Sequence, residues 1–78
     1  LGMRAALEGG SMPTVFNAAN ERSVALFLEG KIGFLQIAEL IEACMGHHKN
    51  RENPDVDQIL QAEAETYAFV ERSLAQKG

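Results

Sequence analysis

Glycines interrupt this chain at Gly9-Gly10, Gly30, Gly33 and Gly46, and a polar stretch from His47 closes at Pro54. Glycine enters the left-handed backbone region that ends helices, and proline cannot continue one, so these positions act as breakers. Between them, apolar residues recur at three- and four-residue spacing. No alternating run of β-branched residues bounded by turns appears. Together these features point to one fold class: all-α, a small four-helix bundle-like domain with short loops.

The first helix is expected over Leu1 to Glu8, with Leu1, Ala5 and Glu8 on one side and Met3 and Leu7 on another. Gly9-Gly10 ends it. The second begins near Ser11 to Thr14, where Pro13 is tolerated because a first-turn N–H has no helical partner. It runs to Glu29, and Gly30 closes it. Phe16, Ala19, Val24 and Phe27 follow its period, and Val15, Leu26 and Leu28 broaden the stripe.

Lys31-Ile32-Gly33 is a tight connector. The third helix runs from Phe34 to Met45 on a stripe of Phe34, Ile37, Ala38, Ile41 and Cys44 or Met45. Glu39 and Glu42 mark its wet side, and Gly46 is the expected C′ residue. His47 to Pro54 is a loop. Asp55 caps the fourth helix, and Asp55-x-x-Gln58 fits a capping box. The fourth stripe is Val56, Ile59, Leu60, Tyr67, Val70 and Leu74, with Glu63 and Thr66 on or beside it.

A chain of 78 residues makes one domain, read here as residues 1–78. Folding at this size buries about 60–65% of the unfolded chain's surface, so the core is thin. No run approaches the roughly 20 apolar residues that span a bilayer, and no signal peptide is visible. The chain opens on Leu1 with a helix in progress, which reads as a piece of a longer protein. The formal net charge of −4 argues against nucleic acid, which needs clustered Lys and Arg. Lys49 and Arg51 sit beside Glu52 and Asp55 and form no such cluster. The single cysteine, Cys44, makes no internal disulfide and suits a reducing, cytoplasmic setting.

No catalytic or metal-binding constellation emerges from the residues. Cys44, His47, His48 and Glu52 lack the paired spacing of structural zinc ligands. The two histidines suit a helix C-terminus electrostatically, and the cysteine suits a core. Glu63 and Glu65 are two apart on a helix and do not face each other. Glu63 instead suits one structural bond to Asn17, Asn20 or Arg22. Ser11 and Ser23 have no His–Asp partner in the sequence pattern. Gly9-Gly10-Ser11 ahead of a helix reads as a simple turn before it reads as an anion site.

The densest polar feature is Asn17-Ala18-Ala19-Asn20-Glu21, just inside the second helix. Asparagine is a poor interior helix former because its amide competes for backbone groups. Two of them three residues apart suggest amides held by partners: backbone at the preceding loop, a neighbouring helix end, or another domain. An unpaired buried amide would cost about 1–3 kcal/mol.

The run Pro13-Thr14-Val15-Phe16-Asn17-Ala18-Ala19-Asn20-Glu21, then Val24 to Leu28, then Ile32-Gly33-Phe34-Leu35-Gln36-Ile37, resembles the C-terminal helical domain of 1-deoxy-D-xylulose 5-phosphate reductoisomerase. The resemblance continues at Ile41-Glu42-Ala43 and, more weakly, at Asp57 to Glu63. It departs at Glu63 and Thr66-Tyr67, where many members carry Asp and then Ala-Arg.

The resemblance implies a parent oxidoreductase dependent on NADPH and on Mn²⁺ or Mg²⁺. That enzyme makes 2-C-methyl-D-erythritol 4-phosphate in the non-mevalonate isoprenoid pathway. This segment would then be a non-catalytic support, packed on the catalytic domain of the same chain in a homodimeric parent. The family's nucleotide, metal and phosphate ligands lie upstream, so no cofactor residue is carried over. Asn17, Asn20, Glu21 and Glu63 are the structural or interdomain candidates. The alternative is an independent helical interaction module, able to self-associate.

Overall fold

The computed structural model of the protein describes Met3 and residues 8–77. Three helices follow in order: α1 (Met12–Leu28), α2 (Phe34–His47) and α3 (Val56–Lys77). No strand occurs among the described residues, so the chain is all-α. The expected first helix lies outside the described residues, except for Met3 and Glu8, which are helical. Against the four helices expected, three are found among the described residues.

α1 and α2 form an antiparallel hairpin. At one end Phe27 and Phe34 meet edge to face, with ring centroids 5.9 Å apart. At the other, Ser11 Oγ lies 2.7 Å from His48 Nε2. The turn between them is a Schellman motif. The Lys31 N–H donates to Leu26 O at 2.9 Å and the Gly30 N–H to Phe27 O at 3.0 Å. Gly30 supplies the positive φ of 77° that the motif requires.

α2 starts on a glycine that cannot cap with a side chain. Gln36 compensates: its Oε1 accepts from the Gly33 N–H at 2.7 Å. α2 also runs two residues past the expected end at Met45, to His47. Gly46 therefore sits inside the helix and is not its C′ residue. The last turn is closed by the His48 N–H on Cys44 O at 3.1 Å, with His48 in extended backbone rather than a left-handed glycine. α3 begins as expected. Asp55 Oδ1 accepts from the Gln58 N–H at 2.7 Å, and Gln58 Oε1 from the Asp55 N–H at 3.0 Å.

The core joins Met12, Val15, Ala19 and Leu26 of α1 to Leu40, Ile41, Cys44 and Met45 of α2, with Ala62 and Val70 of α3. Ile32 drops into it from the connector. Several expected core positions face outward instead. Phe34 and Ala38 are exposed while Leu40 is buried, so the inner face of α2 is rotated from the expected stripe. Leu28 is exposed, and Val24 and Phe27 lie at the rim. Val56, Ile59 and Leu60 are exposed too, because burial on α3 starts only at Ala62. Periodicity defines a stripe, but the packing angle of the neighbours decides which edge of it is covered. Among the described residues no helix is long and apolar enough to cross a membrane.

Candidate functional site

The densest polar constellation lies where the turn before α1 meets the segment after α2. Gly9 and Gly10 adopt positive φ of 64° and 61°, a region open to glycine without strain. Their turn delivers Ser11 into complete burial. Its N–H donates to Arg51 O at 3.1 Å, and its Oγ accepts from the Arg51 N–H at 3.0 Å. Gly10 also makes room for this approach. A Cβ there would lie 2.3 Å from Arg51 O and 2.8 Å from Asn50 Oδ1.

Asn50 caps α1. Ser11 precedes the helix but makes no side-chain cap bond to it. Asn50 Oδ1 takes that role, accepting from the N–H of Ser11 at 2.9 Å and of Met12 at 3.1 Å. Its Nδ2 donates to Glu8 O at 3.4 Å. Two of the free amides at this helix start are therefore already bonded to a neutral oxygen, and the anion reading of Gly9-Gly10-Ser11 gains no support.

Ser11 does meet a histidine, which spacing in the sequence did not reveal. Burial lowers the pKa of His48, opposed by Glu65 and assisted by Arg51 and His47. The Ser11 hydroxyl stands 2.7 Å from His48 Nε2 and also donates to Asn50 Oδ1 at 3.2 Å. The pair is not a nucleophile site: the serine is fully buried and its oxygen is also held by the Arg51 N–H. Nucleophilic catalysis needs an accessible oxygen and a base that is itself oriented.

A half-open cavity of about 300 Å³ lies beside this junction. Lys49, Arg51, His47 and Glu65 line its polar side, and Phe69 and Thr66 its floor. His47 stacks on Phe69 with centroids 4.5 Å apart. The Thr66 hydroxyl donates to Ala62 O at 2.7 Å and is satisfied locally. Burial pushes the Cys44 thiol up to about 11, so it holds its proton and serves as a core residue. Among the described residues no group of three His, Cys, Asp or Glu side chains is placed to hold a metal ion. Lys49 follows the C-terminal end of α2, where the helix dipole favours a cation.

The four candidates named from the sequence lie elsewhere. Asn17, Asn20, Glu21 and Glu63 are all exposed. Neither asparagine has a hydrogen-bond partner among the described residues. Glu63 does not pair with Arg22, whose guanidinium instead meets Glu71 Oε1 at 2.7 Å. Glu21 and Glu63 do converge on one group: partial burial first, then these two carboxylates, raise the pKa of Tyr67. The residues that organise the junction, Gly10, Asn50 and His48, carry no motif; their partners lie in a distant turn.

What the geometry defines is an all-α helical domain in which the polar side chains of this junction serve its own backbone. A model of the DXP reductoisomerase C-terminal domain matches residues 1–69, and the chain belongs to this family. Similar proteins named 1-deoxy-D-xylulose 5-phosphate reductoisomerase occur in several bacteria. The one from Agathobacter rectalis is 53% identical over 72 residues, covering 92% of this chain and 19% of its own length. The Listeria monocytogenes protein is 52% identical over 66 residues, covering 85% and 17%. The Exiguobacterium sibiricum protein is 49% identical over 70 residues, covering 90% and 18%. The chain thus spans about a fifth of the length of these curated relatives.

Proposed function

We propose that this segment is the C-terminal helical support domain of a 1-deoxy-D-xylulose 5-phosphate reductoisomerase. The whole enzyme would rearrange and reduce its substrate to 2-C-methyl-D-erythritol 4-phosphate with NADPH and a divalent metal, in the non-mevalonate isoprenoid pathway. The observation that carries the reading is the 53% identity, across 92% of this chain, to a protein of that name.

The segment's part would be mechanical. Its described residues do not fit the enzyme's metal, because no three ligating side chains converge. They do not fit a dinucleotide phosphate either, because Asn50 occupies the amides behind the glycine pair. Chemistry would therefore reside in the remainder of the chain, with this segment bracing it. Asn17, Asn20, Glu21 and Glu63 are exposed and available as polar contacts to that catalytic domain. The parent would act in the cytoplasm as a homodimer.

The test is kinetic. The full-length chain, given substrate, NADPH and Mn²⁺, should oxidise NADPH, read at the nicotinamide absorbance band. The isolated segment should not. A full-length chain without turnover overturns the enzyme reading, and turnover by the purified segment overturns the support role.

A further inference from the structure

Five exposed or rim apolar residues gather where α1 hands over to α2, apart from Met3 and from Val56, Ile59 and Leu60 at the start of α3. Leu28 is 78% exposed, Phe34 72% and Leu35 77%. Phe27 and Val24 sit at the rim beside them, each 37% exposed. The rings of Phe27 and Phe34 touch, so these residues form one continuous end of the hairpin. The turn beneath is stiff: the Schellman bonds hold it, and Ile32 anchors it in the core. A Glu29–Lys31 ion pair at 3.3 Å gives the patch a polar rim. An apolar centre with a charged edge, on a preformed scaffold, is the anatomy of an interface.

We infer that this end of the α1–α2 hairpin docks against the N-terminal remainder of the reductoisomerase chain, an inference that rests on the function proposed above. The relatives are about five times longer than this segment, so most of the parent chain lies outside it. A tethered partner faces the patch at an effective concentration on the order of millimolar, which outcompetes a second copy at ordinary protein concentrations. The complementary surface must itself be apolar, since nothing at the centre of the patch can hydrogen-bond. Leu28 and Leu35 contribute almost nothing to the segment's own core, so their exposure is explained by a contact made elsewhere.

The experiment uses the full-length chain with the double substitution Leu28→Glu and Leu35→Glu. Both side chains already stand in solvent, so the three helices should form as before. A charged pair in a docked apolar interface would release the segment. The expected result is a second, separate unfolding transition. Limited proteolysis between the segment and the preceding chain should also run about tenfold faster or more, because cleavage tracks the open population. An unchanged melting curve and cleavage rate overturns the inference. So does a halved sedimenting mass with unchanged cleavage, which would make a second copy the occupant. Leu35→Ser alone is the milder check, and it must move cleavage in the same direction. Neither readout depends on turnover: an inactive wild-type parent would sink the enzyme reading while cleavage still decides the docking face.

Discussion

Asn50 Oδ1 lies 2.9 Å from the Ser11 amide nitrogen, although 39 residues separate the two in sequence. A helix cap is usually supplied by the residue just before the helix. Here it comes from the far end of the next helix, so capping α1 and closing the hairpin are one event. Neither can be lost without weakening the other.

Asn50→Ala should therefore destabilise the fold by about 1 kcal/mol, the cost of a lost cap, with the Ser11 and Met12 amides keeping Arg51 O and Gly9 O as acceptors. Asn50→Asp keeps the acceptor and adds negative charge at a helix N-terminus, where it is favoured. It should stay within about 0.5 kcal/mol of the parent. Denaturant unfolding of both variants checks the contrast. Equal losses would mean that the side chain acts through something other than its acceptor oxygen.

The glycines should rank by environment. Gly10→Ala combines φ of 61° with a Cβ 2.3 Å from a backbone oxygen, so the turn must shift. A loss of about 2–4 kcal/mol is expected, the range of severe backbone substitutions. Gly9→Ala meets no atom within 4 Å and carries only the left-handed penalty, about 1 kcal/mol. Gly46→Ala lies inside α2 with open space around it and should stabilise by about 0.5–1 kcal/mol. Thermal unfolding of the three variants gives the order; a stabilised Gly10→Ala would contradict the geometry.

His48 should make stability depend on pH. Its folded pKa lies below the ordinary 6.5, chiefly through burial. The unfolded chain therefore binds the proton first. The contribution of the neutral ring is full above 6.5, falls as pH drops through that value, and is gone below the lowered folded pKa. Unfolding midpoints from pH 7.5 downward, compared with those of His48→Gln, isolate this part. The variant should show a flatter curve, and parallel curves would exclude the histidine as the source.

Asn20→Ala separates the segment from its parent. The side chain is exposed with no partner among the described residues, and alanine is the better helix former. Within this segment the change should be neutral or stabilising by up to about 0.5 kcal/mol. In the full-length chain it should cost about 1–3 kcal/mol if another domain bonds the amide. Melting curves of both forms decide; equal shifts would remove Asn20 from any interdomain contact.

Much of the local structure was legible in the residues. The start of α1 near Pro13, the stop at Gly30, the Asp55–Gln58 box and the all-α class follow from contacts within a few positions of one another. Such contacts are set by backbone geometry and side-chain reach. α2 continues past Gly46 to His47, because a glycine permits a helix stop without requiring one.

What the sequence by itself determined is where helices begin and end and that each has an apolar side. Which part of each side is covered was decided only in three dimensions. Leu40 is buried and Phe34 is not, though both fit a helical stripe, because α1 and α3 pack on one edge of α2. The same holds for the polar groups. Asn17 and Asn20, conspicuous in the sequence, bond nothing among the described residues. Asn50, in a plain polar loop, holds the start of α1. A hydrogen-bonding group declares its type in the sequence, but its partner is chosen by chain closure, and closure over 39 residues leaves no local trace.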